Sequence, residues 1–177
     1  MSTSRPTAEL RDGAAVLAVA IDAGEVLRLR YRLANDGEVP LAVFDRGTNQ
    51  RPGGGVFRID LEGEGDASIA QTGLPLPDPA PTRPILPLAR VLPPGGSAEG
   101  ELLVPTPVEA PARDAGGRFG MVQARRVRYC LGVADFVEED FVDRGEGVWM
   151  PTLRVIEQGQ RILCTPWFDP ARGRFAE

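Results

Sequence analysis

Residues 26–33 alternate strictly between apolar and charged side chains, and this pattern limits the possible folds more than any other in the chain. The apolar members are Leu27, Leu29, Tyr31 and Leu33, and the charged members are Arg28, Arg30 and Arg32. Successive side chains of a β-strand point to opposite faces, so only a strand places the two sets on opposite sides. The segment is therefore predicted to be a half-buried strand with a row of arginines facing outward.

Other segments follow the same rule. Apolar or alternating runs, separated by turns rich in Gly, Pro and Asn, lie at residues 14–21, 39–44, 57–62, 98–104 and 121–134. No segment shows a sustained helical repeat. About eight or nine short strands, with a turn every ten residues or so, predict an all-β fold, most simply a two-sheet antiparallel sandwich.

The last part of the pattern lies at residues 153–164. This segment is predicted to be a hairpin that turns at Gln158-Gly159. In a two-residue register, Val155 would lie opposite Ile162, and Leu153 would lie opposite Cys164.

The length of the chain, 177 residues, fits one domain. We expect residues 1–12 to be a flexible N-terminal segment and residues 13–177 to form the single sandwich domain. Residues 74–95 are rich in proline, which lacks the amide donor that a central strand needs. They are predicted to form a stiff crossover, although the PxxP motif at residues 84–87 could instead dock in an aromatic groove.

Three segments follow one another in a recognisable order. Residues 31–37 (YRLANDG) are the end of a strand and a turn that contains Asn, and residues 39–41 (VPL) begin the next strand. Later, residues 92–96 (LPPGG) form a Pro-Gly turn before another strand. This order resembles immunoglobulin-like and fibronectin-III-like β-sandwiches of bacterial accessory domains, including intracellular proteinase inhibitors found in bacilli. The resemblance covers residues 14–105 and implies an immunoglobulin-like sandwich. It implies no particular activity, because this fold carries many.

The net charge and the longest apolar run indicate which partners and which cellular compartment to expect. A net charge of −5 argues against nucleic acid, which basic surfaces bind. The longest apolar run, Ala14 to Ile21, is too short to span a membrane, and the stretch before it lacks the net positive charge of a signal peptide. We therefore expect a cytoplasmic protein, with a periplasmic or secreted one as the alternative. Cys130 and Cys164 would be free in the first case and could form a bridge in the second.

The chain lacks two residue types, His and Lys, on which many catalytic sites depend. All twenty basic residues are Arg, and His is absent. The absence of His excludes Ser-His-Asp triads, Cys-His dyads and His-ligated zinc, and the absence of Lys excludes Schiff bases and the P-loop lysine. We therefore expect a non-enzymatic protein that needs no cofactor and acts by binding.

Two acidic segments are the candidates for metal binding. Residues 60–65 resemble the start of a calcium loop, but Gln71 stands at the twelfth position, where a bidentate Glu is required. Residues 135–146 are the better candidate, and their carboxylates belong to Asp135, Glu138, Glu139, Asp140, Asp143 and Glu146. These side chains could bind Ca²⁺ or Mg²⁺, or supply a carboxylate pair for glycoside hydrolysis. The simpler interpretation is a solvated acidic loop.

Two further sets of residues are candidates for binding another protein. The first set is formed by outward-facing arginines, which could bind an acidic surface. They are Arg28, Arg30 and Arg32 in one strand and Arg125, Arg126 and Arg128 near another. They could also pair across strands with Asp60, Glu62, Glu99 or Glu101. The 135–150 loop carries Phe136, Phe141 and Trp149, which could act as interface anchors. An interaction module is therefore the leading hypothesis, with a proteinase inhibitor and a carboxylate-based, metal-dependent hydrolase as alternatives.

Overall fold

The structure is a computed structural model that describes residues 5–176, and it is all-β, as the alternating segments predict. Its strands are β1 (Thr7–Asp12), β2 (Ala15–Asp22), β3 (Val26–Asn35), β4 (Leu41–Val43), β5 (Arg58–Leu61), β6 (Asp66–Gln71), β7 (Arg90–Leu92), β8 (Ser97–Pro105), β9 (Glu109–Arg113), β10 (Phe119–Gln123), β11 (Arg126–Asp135), β12 (Phe141–Asp143), β13 (Trp149–Pro151), β14 (Arg161–Cys164), β15 (Phe168–Asp169) and β16 (Arg174–Phe175). A 3₁₀ turn lies at Glu138–Asp140 and a π-helical turn at Val155–Gly159. No helix among the described residues is long and apolar enough to cross a membrane.

The first large sheet has four antiparallel strands in the order β1-β2-β3-β8. Strand β3 lies inside it, and its Leu29 pairs with Ile21 on one side and Leu102 on the other. All three side chains are buried. The alternation that predicts this strand therefore reflects one face in the core and one face outside.

The second large sheet has eight strands arranged around β11. On one edge of β11 lie β14 and then β15; on the other lie β6, which runs parallel to β11, and then β4, which runs antiparallel. Strands β5, β7 and β16 extend the sheet beside β6, β4 and β15. Two separate ribbons, β9–β10 and β12–β13, complete the described fold.

The apolar faces of the two large sheets share one core. At its centre the rings of Tyr31 and Tyr129 stack with centroids 5.3 Å apart. The Tyr31 hydroxyl donates to Asp45 Oδ2 at 2.7 Å, and the Tyr129 hydroxyl donates to Gln71 Oε1 at 2.6 Å. Burial raises the pKa of both tyrosines, and the Asp45 carboxylate raises that of Tyr31 further, so both remain neutral phenols.

A smaller apolar cluster lies on the other face of the second sheet. Ala42 and Ala134 contribute from the sheet, and Phe141, Val155 and Ile156 cover them from the later part of the chain. The sheet is thus covered on both faces in this region. This explains why residues 129–134 of β11 are all buried rather than alternating.

The two cysteines, whose state the sequence leaves open, are bridged. Cys130 in β11 and Cys164 in β14 lie directly opposite each other in the antiparallel register, with Cα atoms 4.1 Å apart, and form a disulfide. The bridge therefore joins two adjacent strands of the second sheet.

Several predictions about the fold need correction. The chain forms more and shorter strands than the eight or nine expected, and the β6–β11 pair is parallel. The flexible segment expected over residues 1–12 is wrong for Thr7–Asp12, which forms β1 and pairs with β2 along its whole length. Residues 1–4 of that expected segment lie outside the described residues.

The hairpin predicted over residues 153–164 is also wrong. Val155–Gly159 forms a π-helical turn, closed by a hydrogen bond from Gln160 N to Val155 O. The following strand, β14, pairs with β11 instead, so that Cys164 lies opposite Cys130 and Ile162 lies opposite Gly132. Pairing with a distant strand has overridden the local turn signal.

The core depends on the absence of a side chain at Gly100, which pairs with Tyr31 across β3 and β8. A Cβ at this position would lie 2.2 Å from the Tyr31 hydroxyl oxygen. We expect Gly100→Ala to lower the free energy of unfolding by about 1–3 kcal/mol, because the stacked tyrosine must move. Urea unfolding followed by fluorescence measures this change. Gly120→Ala is the matched control, since its added Cβ meets no atom within 4 Å; equal losses in the two variants would contradict the packing described.

Candidate functional site

The arginine row of β3 is paired within its own sheet. Arg30 Nε lies 2.9 Å from Glu101 Oε2, Arg28 Nη1 lies 3.5 Å from the same oxygen, and Arg32 Nε lies 3.7 Å from Glu99 Oε1. Of the two interpretations, the structure shows the cross-strand pairing, with Glu99 and Glu101 of β8 as the partners. This face is a mixed-charge ladder and not an open cationic surface.

The second arginine cluster is also engaged. Arg126 Nη2 lies 2.6 Å from Asp66 Oδ2, and Arg128 forms an ion pair with Glu62. Both guanidinium groups lie over the ring of Trp167, at 5.6 Å for Arg126 and 4.7 Å for Arg128. The hydrogen bond from Arg126 is the main reason that the pKa of Asp66 is lowered.

This pairing also occupies the segment that resembles a calcium loop. Asp60 accepts a hydrogen bond from Arg58 Nε at 2.7 Å, and Glu62 pairs with Arg128 as described. The Glu64 carbonyl accepts a hydrogen bond from Arg125. The arginines thus engage the groups that would have to bind the ion.

The carboxylates of the 135–146 loop are dispersed. Asp135 lies 3.1 Å from Arg161, and Asp140 lies 3.8 Å from Arg154. Asp143 accepts a hydrogen bond from the Gly145 backbone at 2.8 Å. Within residues 5–176, no three acidic, His or Cys side chains come together as a metal site. The candidate residues Asp135, Glu138, Glu139, Asp140 and Asp143 therefore do not converge.

The aromatic residues of this loop pack on one another. The Phe136 ring centroid lies 4.9 Å from that of Phe141 and 5.0 Å from that of Trp149. All three belong to the smaller apolar cluster behind the second sheet, and only 7% of Phe141 is exposed. In the structure these side chains hold the loop against the sheet, so they do not form an open set of anchors.

The most exposed apolar surface lies instead on the β9–β10 ribbon. Phe119 is 68% exposed and Met121 is 54% exposed, and both lie on one face of β10 because they are two residues apart. The sequence analysis did not identify this ribbon. The turn at residues 114–117 (DAGG), between two short runs, is the signal that could have revealed it.

The hydrogen bonds at the two ends of the ribbon define which backbone groups face inward. Asp114 N donates to Arg118 O at 3.0 Å, and Ala124 N donates to Val108 O at 2.8 Å. Antiparallel pairs alternate between hydrogen-bonded and non-bonded, so the even-numbered residues of β10 bond to β9. The odd-numbered residues direct their N–H and C=O groups away from β9.

Phe119, Met121 and Gln123 therefore form the open edge of the ribbon, which we call the β10 edge. On the opposite strand, Pro111 pairs with Met121 at a non-bonded position, where its missing N–H costs the ribbon nothing. No strand pairs with the β10 edge in the described chain. The β10 edge thus combines unpaired backbone groups with exposed apolar side chains.

Comparisons with known proteins identify no relative whose function could be compared with that of the β10 edge. No family model, no curated protein and no solved structure matches the chain. The site must therefore be interpreted from its own geometry.

The mixed-charge ladder of arginines and glutamates on the first sheet predicts a measurable change in the pKa of Glu101. The pKa of the Glu101 carboxyl is lowered, first by the hydrogen bond from Arg30 and then by the charge of Arg28. We expect Arg30→Gln to raise this pKa toward its ordinary value, as followed by carbon NMR of the carboxyl group. Arg11→Gln, whose partner is Asp36, is the control and should leave the Glu101 pKa unchanged.

The sign of the associated stability change follows from the direction of the shift. A lowered pKa in the folded state means that the pairing stabilises the fold above the pKa of the unfolded chain. The stabilisation is lost as the pH falls through the lowered value. A Glu101 pKa that is the same in the wild type and in Arg30→Gln would contradict the pairing.

Proposed function

We propose that this protein is a non-enzymatic interaction module that receives an extended segment of a partner protein along the β10 edge. The observation that carries this proposal is the coincidence of open backbone groups and exposed apolar side chains on one strand. The partner segment would extend the β9–β10 ribbon by one strand.

The backbone provides the first part of the argument. An edge strand presents a row of unpaired N–H and C=O groups, and an extended peptide can satisfy them by strand addition. Natural edge strands are commonly protected by charged residues, proline or bulges. Residues 119–123 (FGMVQ) contain no charge and no proline. This edge thus lacks the usual protection against pairing.

The side chains define what the partner presents. Phe119 and Met121 lie on the face of the ribbon that also carries Pro111, and together they form a small exposed apolar stripe. Aromatic residues and Met are enriched in protein interfaces. A partner strand would place apolar side chains at alternate positions over this stripe, since its own side chains also alternate.

Charge at the turn adds a further requirement. Arg113 and Arg118 flank the tip of the ribbon, and neither takes part in an ion pair within residues 5–176. Among the described residues, the Arg113 guanidinium donates to the Gly117 carbonyl alone, at 3.1 Å. A partner segment with an acidic residue at the end nearest the turn would complement these two charges.

The architecture that supports this surface is, we propose, a two-sheet sandwich of immunoglobulin-like type. The shared core of the two large sheets and the stacking of Tyr31 on Tyr129 support it. The Cys130–Cys164 bridge favours a non-reducing compartment, which is the periplasmic or secreted alternative. A proteinase inhibitor would be a special case of the proposal, with a protease as the partner.

The proposal predicts a defined effect of proline at one position. The N–H of Met121 faces the open edge, so Met121→Pro removes an outward donor while leaving the bonds within the ribbon intact. The probe is a peptide of about eight residues with valine at alternate positions and glutamate at one end. We expect its binding, measured by amide NMR shifts along β10, to weaken by about tenfold or more in Met121→Pro relative to Met121→Ala.

Two controls make the test decisive. Met121→Ala loses the same side chain but keeps the donor, and an N-methylated peptide loses the partner's donors. Equal peptide binding by the two variants, or unchanged binding of the methylated peptide, would contradict strand addition. A stable wild-type dimer that Met121→Pro dissociates would also contradict the proposed occupant, because a second copy would then fill the edge.

A further inference from the structure

A cavity of about 280 Å³ opens beside the second sheet, between the loop at residues 46–57, the end of β6 and the Pro-rich segment. Its apolar wall consists of Phe44, Val56, Phe57, Leu74, Ile85 and Pro87. Leu74 and Ile85 are 49% and 55% exposed, although both are large apolar side chains. The cavity thus has an apolar interior and two exposed apolar residues in its wall.

The walls are held in place before any ligand arrives. Thr48 N donates to Arg51 O at 2.9 Å, which closes the loop on itself. The Asn49 side chain ties this loop to the Pro-rich segment, because it donates to Pro84 O and accepts from Leu86 N, both at 3.0 Å. A preformed cavity loses little conformational freedom on binding, so it is suited to a small ligand.

The polar groups in the interior wall are already satisfied. Arg58 donates to Asp60 at 2.7 Å and to Thr72 Oγ1 at 3.0 Å. Gln71 donates to Val56 O at 3.0 Å and accepts from Tyr129. A ligand inside the cavity therefore meets mostly apolar surface, and the Arg58 and Gln71 side chains beside it already have partners, which favours an apolar body.

One charged side chain in the lining differs from these. Arg51 is exposed, and it forms no ion pair with any carboxylate in the described part of the chain. An arginine guanidinium is matched in shape and charge to a carboxylate. Of the two arginines in the lining, Arg58 is paired with Asp60, so Arg51 is the one that could meet a ligand's carboxylate.

We propose that this cavity binds a small amphipathic carboxylate, with its apolar body between Phe57 and Ile85 and its carboxylate on Arg51. The volume accommodates roughly ten non-hydrogen atoms, as in a medium-chain fatty acid or an arylalkanoic acid. This site shares no lining residue with the β10 edge, so it stands independently of the proposed protein-binding function.

The test compares octanoate with octanol, which has the same chain without the carboxylate. Isothermal titration and methyl NMR of Val56, Leu74 and Ile85 measure binding, with octanoate kept below the concentration at which it self-associates. We expect wild-type protein to bind octanoate more tightly than octanol. Arg51→Gln should weaken octanoate binding by about tenfold and leave octanol binding unchanged.

Arg83→Gln is the matched control, since Arg83 is an exposed arginine of the Pro-rich segment that does not line the cavity. It should bind octanoate as the wild type does. The proposal is overturned if octanoate does not shift the cavity methyl signals, or if Arg51→Gln and Arg83→Gln bind it equally. It is also overturned if octanol binds as tightly as octanoate to the wild type.

Discussion

The stacked rings of Tyr31 and Tyr129 join the two large sheets, and both rings carry a hydroxyl that must find an acceptor inside the core. Asp45 supplies one acceptor, and its carboxylate is itself almost fully buried. A buried charge needs a partner, and Arg90 Nη2 lies 2.5 Å from Asp45 Oδ2. The Tyr31 hydroxyl, Asp45 just after β4 and Arg90 at the start of β7 are thus linked by one chain of polar contacts.

Charged side chains on the outer surface are also paired with opposite charges. Most of the arginines that sequence analysis would offer to a partner are matched by acids on adjacent strands, as Arg30 is by Glu101. Exposed pairs of this kind add little stability, but they leave few free charges on the sheet face. Among the surfaces that stay open in the described part of the chain are the β10 edge and the cavity lined by Arg51. The two differ in chemistry, since one offers backbone groups and the other a largely apolar chamber beside an arginine with no carboxylate partner.

Predictions from the sequence are accurate where one face of a strand is buried and the other is not. The alternation in β3 is local, and the structure confirms its buried set. In β11 the residues predicted to be buried are buried as well, but Cys130 and Gly132 on the opposite face are also covered. Strand β1 is missed because its side chains are only exposed or half-buried, so no apolar period marks it. The hairpin predicted at residues 153–164 fails because β14 finds a better partner in β11, a long-range pairing that a local pattern cannot show.

The candidate sites show the same limit. The spacing of the acids on β8 correctly indicates that the β3 arginines pair across strands, because paired strands share one period. The pattern cannot show whether Phe136, Phe141 and Trp149 face solvent or the sheet, since aromatic residues within an acidic loop suit either arrangement. It also cannot show the β10 edge, because an open edge is defined by the strand that is absent beside it.

The β10 edge is open in the free protein, and amide hydrogen exchange tests this openness most directly. Backbone groups bonded within the ribbon exchange slowly, whereas groups at an open edge exchange quickly. We expect the amides of Phe119, Met121 and Gln123 to exchange about tenfold faster than those of Gly120 and Val122. Uniformly slow exchange across all five residues would contradict it, because another segment would then already cover the edge.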